Sequence, residues 1–432
     1  MTRPRTVTVD LLARVEGEGG IHIRMEGREV AEARVRIFEP PRLFEAFLRG
    51  RHFMEVPDIV ARICGICPVA YQMSSIHALE AILGVTVHPG VRALRRLLYC
   101  AEWIESHALH VCMLHAPDFL EYPDAIAMAR DHPGVVAQGL ELKKTGNDLM
   151  TLIGGREIHP VSACVGGFYK VPETAALRAF AARLRRARAI AVDTALWARA
   201  LQFPDFDQDH EMVALRHPDE YPLNEGRVVS SRALDIAVDE YEDHFVERHA
   251  AWSNALHSSV RSRGAYVVGP LARYNLNFDR LGPVVRDLAR ECGALPPLTN
   301  PFKGIVVRAL ELVWACDEAL SIIAAWEPPP EPRVRCAPRA GAGRACTEAP
   351  RGILFHYYAL DDAELVTAAR IVPPTAQNLR SMEEDLTRIA PRYATAPLDE
   401  LARRCEQAVR NYDPCISCAT HALTVTVERR PA

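Results

Sequence analysis

The chain has 432 residues, 49% of them apolar and 25% charged, which is ordinary globular composition and excludes intrinsic disorder. Its net charge of −4 leaves no basic surplus for a nucleic-acid surface. The start, MTRPRTVTVDLLARVEG, lacks the apolar run of a secretory signal, and no segment approaches about 18 uncharged apolar residues, so a cytoplasmic protein without a membrane span is expected.

Alternating apolar residues open the chain: Val7 and Val9, then Ile21, Ile23 and Met25, then Val35 and Ile37. This period of two predicts a short antiparallel meander over 1–40. From Arg42 helical spacing dominates. Pro68 opens an apolar-periodic run that ends at Gly84, the proline-first, glycine-after pattern of a helix. A second helix is predicted from Val91 to about His115, with Leu94, Leu98, Ala101, Ile104, Ala108 and Val111 on one stripe. Further helices fit 173–200, 241–263, 280–293, 303–326, 376–390 and 395–411. Segment 154–172 reads as a glycine-rich loop, 327–352 as an irregular crossing, and the stretch after it as a small hairpin.

Length alone allows two or three domains. No internal repeat or low-complexity tract divides the chain, and one compact domain over 1–432 is expected, mainly α with small antiparallel sheets. Within it the mainly helical part spans 42–326. The hairpin, the last helices and a metal motif follow over 353–421, then a tail over 422–432.

Most of the 12 cysteines are isolated in apolar helical patterns, as Cys100, Cys112 and Cys316 are, where a thiol packs as a small hydrophobe. Two pairs stand apart: Cys64 with Cys67, and Cys415 with Cys418. The first pair lies just before Pro68, where helix N-terminal amides favour thiolate. Spacing alone leaves three readings: a structural zinc site, a pair of redox dithiols, or one metal centre clamped between the chain's two ends. Zinc ribbons usually separate their pairs by about 12–20 residues, far fewer than here. His107 and His110 could pair as an HxxH ligand set, although buried histidines with ordinary partners are the more common finding. Taken alone, Glu16 is a turn carboxylate and Arg351 a loop cation.

The residues around the cysteines separate these readings. ARICGICPVAYQ together with YDPCISCATH closely resembles the two signature motifs of the large subunit of nickel–iron (NiFe) hydrogenases. ARVEGEGGIHI, RLFEAFLRGR, ESHALHVCMLHAPD, TEAPRGILFHYY and IVPPTAQN resemble the family's intervening motifs, so the resemblance spans nearly the whole chain. ESHALH, TNPF and YDPCISC are most similar to the cytoplasmic NAD(P)-linked sulfhydrogenase-type branch.

The resemblance implies reversible heterolytic cleavage of H2 at a Ni–Fe(CN)2(CO) centre, with soft thiolates as its ligands. Cys64 and Cys415 would be terminal ligands of nickel, and Cys67 and Cys418 would bridge nickel to iron. Glu16 would be the proton gate, and Arg351 would overhang the site, held by Asp118 and Asp413. Thr375 would donate to a cyanide, with Pro350 also lining the cofactor. Glu45, the carbonyl of Ile371 and His421 would hold Mg2+ or Fe2+, for which oxygen ligands are apt. At position 71 many relatives carry histidine; this chain has Tyr71.

No GxGxxG follows a strand, and too few clustered cysteines remain for an iron–sulfur relay. The resemblance therefore implies an iron–sulfur small subunit, docked near the first cysteine pair, and diaphorase subunits carrying flavin and NAD(P). It also implies nickel- and iron-insertion proteins and an endopeptidase that cuts after His421 and removes the tail. Ferredoxin- or F420-linked and H2-sensing enzymes of the same family are alternatives. A complex I-like relative without the catalysis is a remote one, since that lineage has generally lost the cysteines.

Overall fold

The computed structural model describes residues 5–420; His421 and the expected removable tail lie outside them. Among the described residues, seven helices of 13 or more residues build the body: α1 (Pro68–Leu83), α2 (Pro89–Leu109), α3 (Pro133–Gly154), α4 (Thr174–Ala198), α5 (Gly304–Ala324), α6 (Pro374–Ile389) and α7 (Leu398–Arg410). α2 packs between α3 and α5, and α5 packs on α4. Their buried stripes form one core that also encloses all four motif cysteines. The described residues add five small antiparallel sheets. The mainly helical class with small sheets is therefore what the chain adopts.

The opening meander is three strands, Arg5–Val9, Gly19–Glu26 and Glu29–Ile37, paired in sequence order. Its buried Ile21, Ile23 and Ile37 share a second core with α6 and α7. That packing brings the N-terminal loop beside the last cysteine pair.

Several segments differ from expectation, and three show the reason most clearly. α3 was not expected, although Pro133 and Gly155 bracket it as start and stop signals. Glycines at 139 and 146 blur its helical signal, yet both are needed for packing. A Cβ on Gly146 would lie 2.6 Å from the Ala101 carbonyl and 2.7 Å from the Glu105 nitrogen, both in α2. Segment 241–263 is not one helix but a turn of helix and two strands, Phe245–His249 and Leu256–Val260. Here Phe245 stacks on Tyr241 at 4.5 Å, and Tyr241 on Phe355 at 4.3 Å, so tertiary aromatic packing overrides the helical spacing. The crossing 327–352 ends in a strand, Gly341–Ala349, paired with Gly352–Leu360, which pairs in turn with Val366–Val372. This sheet packs on α1 and delivers Pro350 and Arg351 at its tight turn.

Candidate metal centre

Two chain segments supply the sulfurs. Cys64 leaves a short 3₁₀ turn in extended conformation, and Cys67 is the residue before Pro68 at the start of α1. The Cys64 sulfur accepts from the backbone N–H groups of Ile66 and Cys67, both at 3.2 Å. Glu102 of α2 pins this helix start, accepting from the N–H of Val69 at 2.6 Å and of Ala70 at 3.2 Å. At the other end Asp413 sits in the left-handed region at φ 52°, turning the chain before Cys415. The Glu16 carbonyl accepts from the Ile416 N–H at 2.8 Å, forming a parallel bridge beside Cys415. Gly17 makes that approach possible: a Cβ there would lie 2.8 Å from the Ser417 nitrogen.

The result is four buried sulfurs whose ligand atoms all lie within 4.8 Å of one another. Across the motifs Cys64 meets Cys415 at 3.5 Å and Cys67 meets Cys418 at 3.7 Å; Cys415 and Cys418 are 2.8 Å apart. Burial opposes ionisation of Cys64, but the neighbouring thiols and the Arg351 charge hold it well below the usual thiol range. A compact, buried, all-thiol donor set with an arginine at hand fits a soft transition-metal centre.

Polar groups ring the sulfurs. The Cys415 thiol donates to Glu16 Oε2 at 3.0 Å, and the same oxygen accepts from the Ser417 N–H at 3.1 Å. Arg351 is buried; its Nε donates to the Asp413 carbonyl at 2.7 Å and its Nη2 to Asp413 Oδ1 at 3.1 Å. Its Nη1 faces the Ser106 hydroxyl at 3.5 Å. The Thr375 hydroxyl oxygen accepts from the Cys415 N–H at 3.0 Å, which leaves its O–H free to donate elsewhere. Tyr71 is fully buried, and its hydroxyl faces the Cys418 sulfur. Burial and the charges of Cys418, Cys67 and Cys415 push this phenol well above its usual range, so it stays an O–H donor.

Two expectations need correcting. Asp118 does not brace Arg351: its carboxylate takes Arg14 at 2.6 Å, Arg410 at 2.8 Å through both oxygens, and His115 at 3.1 Å. Asp118 follows a π-helical turn, His110–His115, that extends α2, and its carboxylate lies at the end of α7 beside Arg410. His107 and His110 are not a ligand pair either. His107 bonds Glu311 at 2.9 Å and His110 the Arg410 carbonyl at 2.9 Å. Glu45 and Ile371 lie side by side, the Glu45 carboxylate accepting from the Ile371 N–H at 2.7 Å. Burial pushes Glu45 up to about 7.

Sequence reasoning missed a polar cluster behind Arg351. Arg273 is wholly buried, grips Glu311 with two bonds at 2.7 and 2.8 Å, and bonds Glu348 at 2.9 Å. It also donates to the carbonyls of Ala349 and Pro350, the two residues before Arg351, at 2.9 and 3.0 Å. Its signal was a charge out of place: Glu311 interrupts the most apolar helix of the chain.

The family model of nickel-dependent hydrogenases matches residues 42–139 and 310–421, the segments that carry the two cysteine pairs. Sulfhydrogenase 1 subunit alpha of Pyrococcus furiosus is 33% identical, over 96% of this chain and 98% of its own length. This chain belongs to the nickel-dependent hydrogenase family. As such a large subunit it is also similar, at 27% identity over 97% of this chain and 95% of the relative, to a NAD-reducing hydrogenase subunit beta of Cupriavidus necator. The solved structure of a NAD+-reducing NiFe hydrogenase in its H2-reduced state superposes with TM-score 0.89 at 28% identity, covering 97% of this hydrogenase and 100% of that chain.

Proposed function

We propose that this large subunit carries the H2-activating centre of a cytoplasmic NAD(P)-linked hydrogenase. The observation that carries the reading is the convergence of Cys64, Cys67, Cys415 and Cys418 within 4.8 Å, with Glu16 at 3.0 Å from the Cys415 sulfur. Cys64 and Cys415 would hold nickel, and Cys67 and Cys418 would bridge it to iron; their cross-motif pairing in the fold supports this division. When bound, the Ni–Fe(CN)2(CO) group supplies heterolytic splitting of H2 into protons and electrons.

The chain's own groups then manage the proton. The Cys415 sulfur passes it to Glu16 Oε2, which the Ser417 N–H steadies and orients. Arg351 presents a fixed positive charge, held by Asp413 from one side and by the Arg273 cluster through its preceding carbonyls. Thr375 and Pro350 line the cofactor side. Glu45, the Ile371 backbone and His421 would form the Mg2+ or Fe2+ site below. The Asp118–Arg410 pair has a different task, tying the end of α2 to α7.

Electrons would leave through an iron–sulfur small subunit to diaphorase subunits carrying flavin and NAD(P). Insertion proteins would load the metals, and an endopeptidase would cut between His421 and Ala422. The test is H2-dependent reduction of NADP+ and NAD+ by the purified complex. H2-dependent reduction of ferredoxin or F420 without nicotinamide reduction would overturn the branch assignment.

A further inference from the structure

Of the 51 basic residues four are lysines, Lys143, Lys144, Lys170 and Lys303. The difference matters because an arginine does not give up its proton in a protein, whereas a lysine can. Lys143 stands on α3 with its Nζ 3.5 Å from Oε2 of Glu105, a carboxylate on α2 with side-chain exposure of only 5%. The Lys143 side chain itself is 32% exposed, so the pair spans from the interior to solvent. The contact is built in. Gly146, one turn on from Lys143, lets α3 lie against the backbone of Glu105, where any Cβ would clash.

Inward, Glu105 lies within electrostatic reach of the metal centre. The next residue, Ser106, faces Arg351 at 3.5 Å, and the charges of both Arg351 and Cys64 bear on Glu105 ionisation. The charged and titratable groups facing it are Lys143 from α3, Arg351 from the strand turn, Cys64 from the segment before α1, and Glu102 on α2 itself. Burial, opposed by Lys143 and Arg351, sets its acidity near 8. An acid poised near neutrality is what a relay group requires. Glu16 approaches the sulfurs from the N-terminal loop and takes no part in this pair.

We propose that Glu105 and Lys143 form a second proton outlet from the metal centre, distinct from Glu16. A proton released beside Cys64 and Arg351 reaches a Glu105 oxygen through bridging water, giving a neutral carboxyl. Lys143 gives one ammonium proton to bulk water and takes the Glu105 proton in its place. Glu105 ends as carboxylate and Lys143 as ammonium, so one proton has crossed and no electron has moved. This rests on the hydrogenase reading.

The test uses the purified metal-loaded complex and two readouts. In infrared difference spectra taken against pH, wild type shows a protonated-carboxyl band with a midpoint near 8. Glu105→Gln removes the band, and Lys143→Met moves the midpoint upward because the opposing charge is gone. In D2/H+ exchange, Glu16→Gln keeps a residual rate, and adding Glu105→Gln lowers it by at least about 10-fold. Lys143→Arg in the Glu16→Gln background is as slow as Lys143→Met, since the charge is retained but the proton is not released. The outlet is overturned if no band is lost in Glu105→Gln, or if Glu16→Gln alone abolishes exchange. It is equally overturned if Lys143→Arg exchanges as fast as its Glu16→Gln parent. Equal nickel content across the variants guards against loss of loading. Wild type without any exchange would instead sink the hydrogenase reading itself.

Discussion

Replacing Arg273 with leucine removes the guanidinium that pairs with both Glu311 and Glu348. Burial alone would raise Glu311, but Arg273 and His107 outweigh it and hold the carboxyl at about 2. Glu348 has a single bond to the arginine; burial wins there and pushes it up to about 7. One guanidinium thus keeps one of its two acids ionised. The drop of Glu311 from 4.5 to about 2 is worth about 3 kcal/mol. Breaking a buried pair by deleting one partner costs about 3–5 kcal/mol, so a deficit of that size is expected at neutral pH. Its pH dependence carries the sign. A depressed carboxyl stabilises the fold above its unfolded value and loses that contribution as pH falls from 4.5 towards 2. Without Arg273 the same buried carboxyl lies above 4.5, so the variant loses stability as pH rises through the weakly acidic range. Urea unfolding at pH 5 and pH 7 measures both terms, and the deficit should widen at the higher pH. A deficit below about 1 kcal/mol, or one equal at both pH values, would refute the reasoning.

Glu16→Gln should lower H2 oxidation by about 10²–10⁴-fold with nickel content unchanged, measured by dye reduction under H2. Asp118→Asn should destabilise by up to about 3–5 kcal/mol, because Arg410 loses its two-bond anionic partner and keeps only Glu406; thermal unfolding of the complex checks this. Gly146→Ala should cost about 1–3 kcal/mol, since its Cβ meets α2 backbone that cannot swing aside; a wild-type melting temperature would contradict the packing. Tyr71→Phe should change the stability of the metal-free chain by no more than about 1 kcal/mol, because the buried hydroxyl has only the weak Cys418 thiol beside it. In the loaded enzyme the same change should shift the infrared CO and CN bands, and unmoved bands would deny Tyr71 a donor role.

The helices and the cysteine motifs were legible because their signals are local: proline and glycine bracket α1, and two CxxC pairs stand out among isolated cysteines. Convergence of the pairs was not legible from spacing, since the loop at Glu16 and Gly17 and the turn at Asp413 meet only in the folded chain. α3 was missed because its glycines serve packing against α2 rather than helix propensity. The strands at 245–260 were missed because an aromatic stack formed with Phe355, far away in sequence, decides them. The role of Asp118 was inferred from the motif it resembles, and its partners Arg14, Arg410 and His115 converge on it only in the folded chain. The Arg273 cluster shows a rule that sequence can carry: a glutamate in an otherwise apolar helix face announces a buried cation partner.

The central claim is that Cys64, Cys67, Cys415 and Cys418 together hold one nickel–iron centre. Elemental analysis of the complex, wild type beside Cys64→Ser, tests it most directly. The account predicts one nickel per large subunit in wild type and its loss in the variant. Zinc without nickel in wild type, or undiminished nickel in Cys64→Ser, would contradict it.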